Sequence, residues 1–209
     1  MIIFHHIPRT GGIFIERQIR KIIKPHRRVQ DIIYSNDKYE RLSVGFFSGH
    51  CNFGRLNIQK NDFVFSFFRD PIDRLHSLYN HMSKNLLPNK RYSTWFSDVI
   101  LFNLFSNDWR HFVDYYLSHN GIGILSDGRR ICDEVSIGGY ANYKIYDFVG
   151  ITEKMTESLD ILGKKLNIKL NNGQKINSCE YEKDDYREDE LRKFLECENF
   201  YYNLACSNI

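Results

Sequence analysis

Three short runs in the chain hold groups suited to gripping anions and moving a proton. They are His6-Ile7-Pro8-Arg9-Thr10-Gly11-Gly12, Ser48-Gly49-His50, and Phe68-Arg69-Asp70-Pro71 followed by Arg74 and Ser77. In the first, an apolar stretch from Ile2 to Ile7 ends in Pro8 and two glycines, and apolar residues then recur at helical spacing. A glycine-rich junction between a strand and a helix exposes main-chain N–H groups and lets an oxyanion approach closely, which favours phosphate or sulfate. Arg9 and Thr10 add a cation and a hydroxyl at its rim. His50 carries a side chain able to accept a proton near neutral pH. Arg69 and Ser77 form a second cation and hydroxyl pair, able to face a second anion.

Each run has competing readings. An ATP or GTP loop needs Gly-x-x-x-x-Gly-Lys-Ser/Thr, and neither that spacing nor the Lys-Ser/Thr pair follows the glycines here. A dinucleotide fingerprint needs a third glycine, which the stretch from Ile13 to Arg17 lacks. A Gly-Gly turn with no ligand remains open. A lone histidine such as His50 is more often structural than catalytic, and Arg69-Asp70 alone reads equally as an ion pair at a strand end.

The elements that must position these residues follow from periodicity. From Ile15 the apolar positions recur at Ile19, Ile22 and Ile23, a helical spacing after the glycines. Val44-Gly45-Phe46-Phe47 reads as a second strand entering a glycine-bracketed loop from Ser48 to Gly54. Asp62 to Phe68 is a continuous apolar run, as in a parallel strand covered on both faces. Asp70 then suits an N-cap, Pro71 the first helical position and Asp73 the positive end of the helix dipole. That helix is expected to reach about Lys84, burying Ile72, Leu75, Leu78, Tyr79 and Met82 and leaving Arg74 and Ser77 on a more polar flank. Farther on, a loop is expected from Leu86 to Tyr92, helices from Thr94 to Leu104 and Trp109 to Leu117, and a glycine-rich mobile loop from Asn120 to Gly139. Tyr146 to Ile151 reads as a strand and Thr152 as the start of a helix buried along Met155, Leu159, Leu162 and Leu166. A last helix carries Leu191, Phe194 and Leu195 and is expected to break near Asn199. Apolar strands alternating with amphipathic helices predict an α/β fold of three layers, a mainly parallel sheet flanked by helices.

Composition bounds the rest. At 209 residues, 42% hydrophobic and 26% charged, the chain suits one domain over residues 1–209. A net charge of +3 argues against bulk nucleic-acid binding and suits small polyanions. Arg17, Arg20, Lys21, Lys24, His26, Arg27 and Arg28 form a basic stretch that reads either as a solvated helix face or as a track for an anionic acceptor. Five cysteines without a Cys-x-x-Cys pair indicate neither a zinc site nor a disulfide framework. With no apolar run of membrane-spanning length and no leader before the first strand, a cytoplasmic protein is expected, or a lumenal one if an upstream anchor has been removed.

The three runs, with Val149-Gly150-Ile151-Thr152-Glu153 later in the chain, stand in the order and spacing of the carbohydrate O-sulfotransferases. The resemblance extends over nearly the whole chain and leans toward the branch holding the uronosyl 2-O-sulfotransferases and their bacterial relatives. It implies the P-loop-like sulfotransferase fold and 3′-phosphoadenosine 5′-phosphosulfate (PAPS) as co-substrate, with no metal. It further implies a 5′-phosphosulfate loop at Arg9, Thr10, Gly11, Gly12, Ile13 and Phe14, and a 3′-phosphate site at Arg69 and Ser77. Under it His50 is the general base toward an acceptor hydroxyl, of a glycan above all, and Arg9 steadies the leaving oxygen. Two departures stand out: Arg9 replaces the family's lysine, and Ile13 and Phe14 replace its hydroxyl residues after Gly-Gly. A kinase-like phosphoryl-transfer enzyme and a non-catalytic PAPS- or PAP-binding relative are the alternative readings.

Overall fold

The computed structural model describes residues 1–29, 45–49, 58–81, 83, 108–118, 123–124, 130–131, 140, 143–171 and 183–209. His50, the expected connector from Gln30 to Leu42, the loop from Cys51 to Gly54, and the segments 86–92 and 94–104 lie outside them.

Five strands form one parallel sheet: β1 (Ile2–His5), β2 (His26–Val29), β3 (Phe46–Gly49), β4 (Phe63–Phe68) and β7 (Phe148–Ile151), in the order β2-β3-β1-β4-β7. Short strands β5 (Gly123–Ile124) and β6 (Arg130–Ile131) pair antiparallel, within the stretch expected to be a mobile loop. The helices are α1 (Gly12–Ile22), α2 (Pro71–His81), α3 (Trp109–Ser118), α4 (Met155–Leu166), α5 (Glu188–Phe194) and α6 (Glu196–Cys206). This is the flanked parallel α/β sheet that the alternation of apolar strands and amphipathic helices predicts.

Strand alternation explains how both faces are covered, since successive side chains point to opposite sides. Phe4, Phe46, Phe65, Phe67 and Phe148 share a cluster with Ile15 and Ile19 of α1 and Leu159 and Leu162 of α4. On the other face Phe68 and Ile151 join Ile7, Tyr140 and Ala205 of α6. A third cluster packs Ile72 and Leu75 of α2 against Trp109, Phe112 and Val113 of α3 and Leu191 and Leu195. Each fully buried phenylalanine contributes about 1.5–3 kcal/mol of transfer free energy, so the aromatic β4 acts as the spine of the sheet.

Several boundaries differ from expectation for identifiable reasons. Ile22 is 49% exposed, because α1 ends there and the chain turns through the cis Lys24–Pro25 peptide into β2. The basic stretch is therefore split between the last turns of α1 and an edge strand. Ser48 and Gly49 belong to β3 rather than to the loop after it. Thr152 begins a turn, and α4 starts at Met155. The C-terminal helical segment breaks at Leu195, the cap between α5 and α6, and α6 runs through Asn199. Arg74 and Ser77, expected on a polar flank, are buried, Arg74 to 1% exposure.

Gly150 shows how closely the sheet is packed. A Cβ there would lie 2.4 Å from Cε1 of the buried Phe67 ring. Gly150→Ala is expected to cost about 1–3 kcal/mol by forcing that ring aside. Urea unfolding measures it, and an unchanged midpoint would show that the ring has room to turn.

Candidate functional site

All five strands are parallel, so the loops leaving β1 and β4 emerge side by side at one edge of the sheet. The loop after β1 coils tightly. Arg9 has φ 70° and Gly11 φ 79°, ψ 9°, both left-handed, and Gly11 caps α1. Left-handed backbone is natural for Gly11, whereas at Arg9 it costs on the order of 1 kcal/mol and persists because the surroundings hold it. Thr10, expected at the rim, is buried, and its hydroxyl donates to Ile7 O at 2.9 Å inside the loop. Gly12 rests on the buried His6 ring, where a Cβ would come within 2.0 Å of Nε2. Met155 lies against Gly11, its Cε 3.0 Å from where a Cβ would stand. The first turn of α1 makes no side-chain cap; Phe14 N donates to Gly11 O at 3.0 Å, which leaves the Gly12 and Ile13 amides as the ones that α1 itself does not engage. Ile13 and Phe14 are partly exposed, and Phe14 also packs on the core beside α1.

The loop after β4 is built as expected at its helix start. Asp70 Oδ1 accepts from Ile72 N at 2.9 Å and from Asp73 N at 3.1 Å, capping α2 behind Pro71. Arg69 is clamped through its backbone: the Tyr140 hydroxyl donates to Arg69 O at 2.6 Å and accepts from Arg69 N at 3.2 Å. Burial pushes the Tyr140 hydroxyl well above its ordinary pKa, so it stays protonated and remains a donor.

The two loops meet. Arg9 Nε donates to Ser77 Oγ at 3.1 Å, and Arg69 Nη1 donates to Arg9 O at 3.4 Å. Thr152, just beyond β7, lies with its hydroxyl 2.9 Å from Phe68 O and 3.1 Å from Thr10 O, tying both loops to a third. Glu153 stands 3.9 Å from Arg69 Nε, accepting from Asp70 N at 3.2 Å through Oε1 and from Tyr202 Oη at 3.2 Å through Oε2. Burial raises the Glu153 pKa, opposed by these donors and by Arg69. Arg9, Thr10, Gly11, Gly12, Arg69 and Ser77 thus share one edge, with Ile13 and Phe14 in the first turn of α1. His50 lies outside the described residues, but Gly49 before it accepts from His6 N at 3.0 Å, beside the loop.

Residues that the motifs did not single out complete the arrangement. His81 follows Ser77 by one helical turn on α2, and burial together with the Arg9 charge lowers its pKa from 6.5 to about 4. His6, Tyr140, Thr152 and Met155 act as supports. His6 and Thr152 stood within quoted motifs, yet the spacing did not say what they would touch. Among the described residues no group of three His, Cys, Asp or Glu side chains is arranged to hold a metal ion, and no helix is long and apolar enough to cross a membrane.

No protein-family model and no curated protein matches the chain. Among solved structures, the chain is similar to mouse sulfotransferase SULT7A1 complexed with PAP, at 15% identity and a TM-score of 0.50. The match covers 96% of this chain and 64% of that one, so this chain spans less than two thirds of its length. The likeness establishes the fold, a parallel sheet flanked by helices.

Two measurements probe this geometry. Tyr140→Phe removes one hydroxyl that serves both main-chain groups of Arg69, and a loss of about 1–3 kcal/mol is expected in urea unfolding. A near-neutral effect would mean that Arg69 is held from elsewhere. The second is the His81 titration. With a folded pKa below the unfolded one, its contribution to stability is complete above pH 6.5 and is lost as pH falls through about 4. Arg9→Gln should raise the His81 midpoint seen by NMR, and no movement would separate Arg9 from His81.

Proposed function

We propose that the chain transfers a sulfuryl group from PAPS to an acceptor hydroxyl, with a glycan hydroxyl as the acceptor. The observation that carries this reading is the meeting of Arg9 with Ser77 and Arg69, residues from two motifs some sixty positions apart. Two cations and the N-terminal amides of α1 converge there, which suits a ligand with two separated anionic groups. PAP, bound in the similar mouse sulfotransferase, fits this description through its 3′- and 5′-phosphates.

In this reading the α1 amides of Gly12 and Ile13 hold the 5′-phosphosulfate, largely by main chain, so the missing hydroxyls at positions 13 and 14 are tolerable. Arg69 and Ser77 take the 3′-phosphate. The acceptor oxygen bonds to sulfur as the bond from sulfur to the 5′-phosphate oxygen breaks, and adenosine 3′,5′-bisphosphate departs. His50 takes the proton released by the hydroxyl. Arg9 offsets charge growing on the leaving oxygen, electrostatic stabilisation of the kind that is often the largest single contribution. Tyr140 and Thr152 position Arg69 and the loop, and act only through them.

Calorimetry with adenosine 3′,5′-bisphosphate tests the binding half. Arg69→Ala should weaken it about ten- to hundredfold, and adenosine 5′-phosphate far less. Equal weakening of both would mean that Arg69 serves the fold alone. A sulfate-transfer screen over glycans tests the chemistry: His50→Ala should lower turnover about 10²–10⁴-fold while leaving nucleotide affinity nearly intact. Magnesium-dependent turnover of ATP in place of PAPS would overturn the reading in favour of phosphoryl transfer. Binding of the bisphosphate without transfer to any hydroxyl would leave a non-catalytic relative.

A further inference from the structure

At the opposite edge of the sheet lies a second concentration of charge. The last turn of α1, the link behind it and the first residue of β2 border an open, shallow cavity, lined among the described residues by Arg20, Lys21, Lys24, Pro25 and His26. His26 pairs with Phe46, Phe46 with Ile2 and Ile2 with Phe63, all first residues of parallel strands. The cavity therefore opens at the foot of the sheet, while the Arg9, Arg69 and Ser77 cluster sits at its head, a strand length of about 13 Å away at ~3.3 Å per residue.

The fold leaves this charge unbalanced. Arg20, Lys21 and Lys24 are exposed, and among the described residues no carboxylate pairs with any of them. The carboxylate nearest in sequence, Glu16, is buried and pairs with Arg28 at 3.2 Å. The negative end of α1 accounts for only about half a unit charge. One wall is rigid, since His26 Nε2 lies 3.1 Å from the buried Ser48 Oγ and its ring stacks on Phe46 at 5.0 Å. The His26 pKa is lowered first by burial and further by Arg20 and Arg28, against the pull of Glu16, so an anion in the cavity would move it upward.

We propose that this cavity binds a small soluble polyanion carrying two or more phosphate or sulfate groups. An arginine with two lysines supplies one planar fork and two compact charges, matching several anionic groups rather than one. Among the described lining residues the ring present, His26, is engaged with Phe46 rather than open to stack on a base. The site is independent of the sulfuryl-transfer reading and stands or falls separately.

The probe is tripolyphosphate, followed by calorimetry in 0.1 M salt on the full chain and by the His26 ring signals in NMR. In wild type and Arg69→Ala alike, tripolyphosphate should raise the His26 midpoint, a response that binding at the Arg9 and Arg69 cluster does not produce. The triple variant Arg20→Gln/Lys21→Gln/Lys24→Gln, altered at exposed positions, should bind about tenfold more weakly or worse. Lys164→Gln/Lys165→Gln/Lys193→Gln, which removes the same charge elsewhere, should bind as wild type. Inorganic phosphate should bind much less well than tripolyphosphate. Equal loss in the two triple variants would overturn the site in favour of net charge, and loss in Arg69→Ala would relocate binding to the head of the sheet. Vesicles of phosphatidylserine and phosphatidylcholine distinguish a lipid source of the same phosphate chemistry: capture that depends on the three cations, with no binding of tripolyphosphate, would overturn a soluble ligand.

Discussion

The geometry at the head of the sheet depends on one hydroxyl. Thr152 lies within hydrogen-bond distance of both Phe68 O and Thr10 O, joining the exit of β4, the exit of β7 and the glycine loop. Those three segments come from distant parts of the sequence, and parallel pairing alone fixes only the strands beneath them. Once the loop is anchored at Thr10, the strained backbone at Arg9 is held from both sides. Thr10 Oγ1 closes onto Ile7 O, and Arg69 Nη1 reaches Arg9 O. The strain is local and small, while the consequence is directional: it turns Arg9 toward Ser77 across the gap between the loops.

That arrangement brings two guanidiniums into one neighbourhood, which proteins tolerate when counter-charge is at hand. Glu153 is the nearby carboxylate, and its placement is a compromise. Burial disfavours its charge, while Asp70 N, Tyr202 Oη and Arg69 favour it. His81 answers the same field from the other side, held neutral by burial and by Arg9. A region that resists protonation of its histidine and brings two guanidiniums together favours anionic groups.

Much of this was legible in the sequence, for physical reasons that differ by residue. Asp70, Pro71 and Asp73 announce a helix start because capping is local chemistry, and Asp70 makes the expected bonds. The continuous apolar run of β4 announces burial on both faces. Ile15 and Ile19 lie on the buried side of α1 and Ile23 packs on the same core, whereas Ile22 is exposed, because nothing in spacing says where the sheet ends and solvent begins. The edge strand β2 was hidden since its exposed arginines lack the apolar pattern of an inner strand. Tyr140, Thr152 and His6 act through contacts between remote segments, and Arg74 is buried by helices that no local rule brings together. The two departures from the sulfotransferase pattern that the motifs resemble were legible as departures, yet their effect depends on which atoms of the loop face a ligand.

That last dependence can be argued from the loop itself. Hydroxyls at positions 13 and 14 would add donors to a helix start, but the amides there are donors already, aligned by the helix and made accessible by Gly11 in left-handed backbone. Apolar side chains at those positions leave these amides in place; Phe14 turns partly into the core beside α1 and so helps fix the helix that aligns them. The exchange of lysine for arginine at position 9 is of another kind. A lysine bonded to Ser77 would engage its one charged atom there, whereas Arg9 bonds through Nε and carries further donors on two terminal nitrogens of the same plane. An arginine can therefore keep its hold on α2 and still present charge to a second acceptor. Arg9 thereby couples the glycine loop to the helix bearing Ser77.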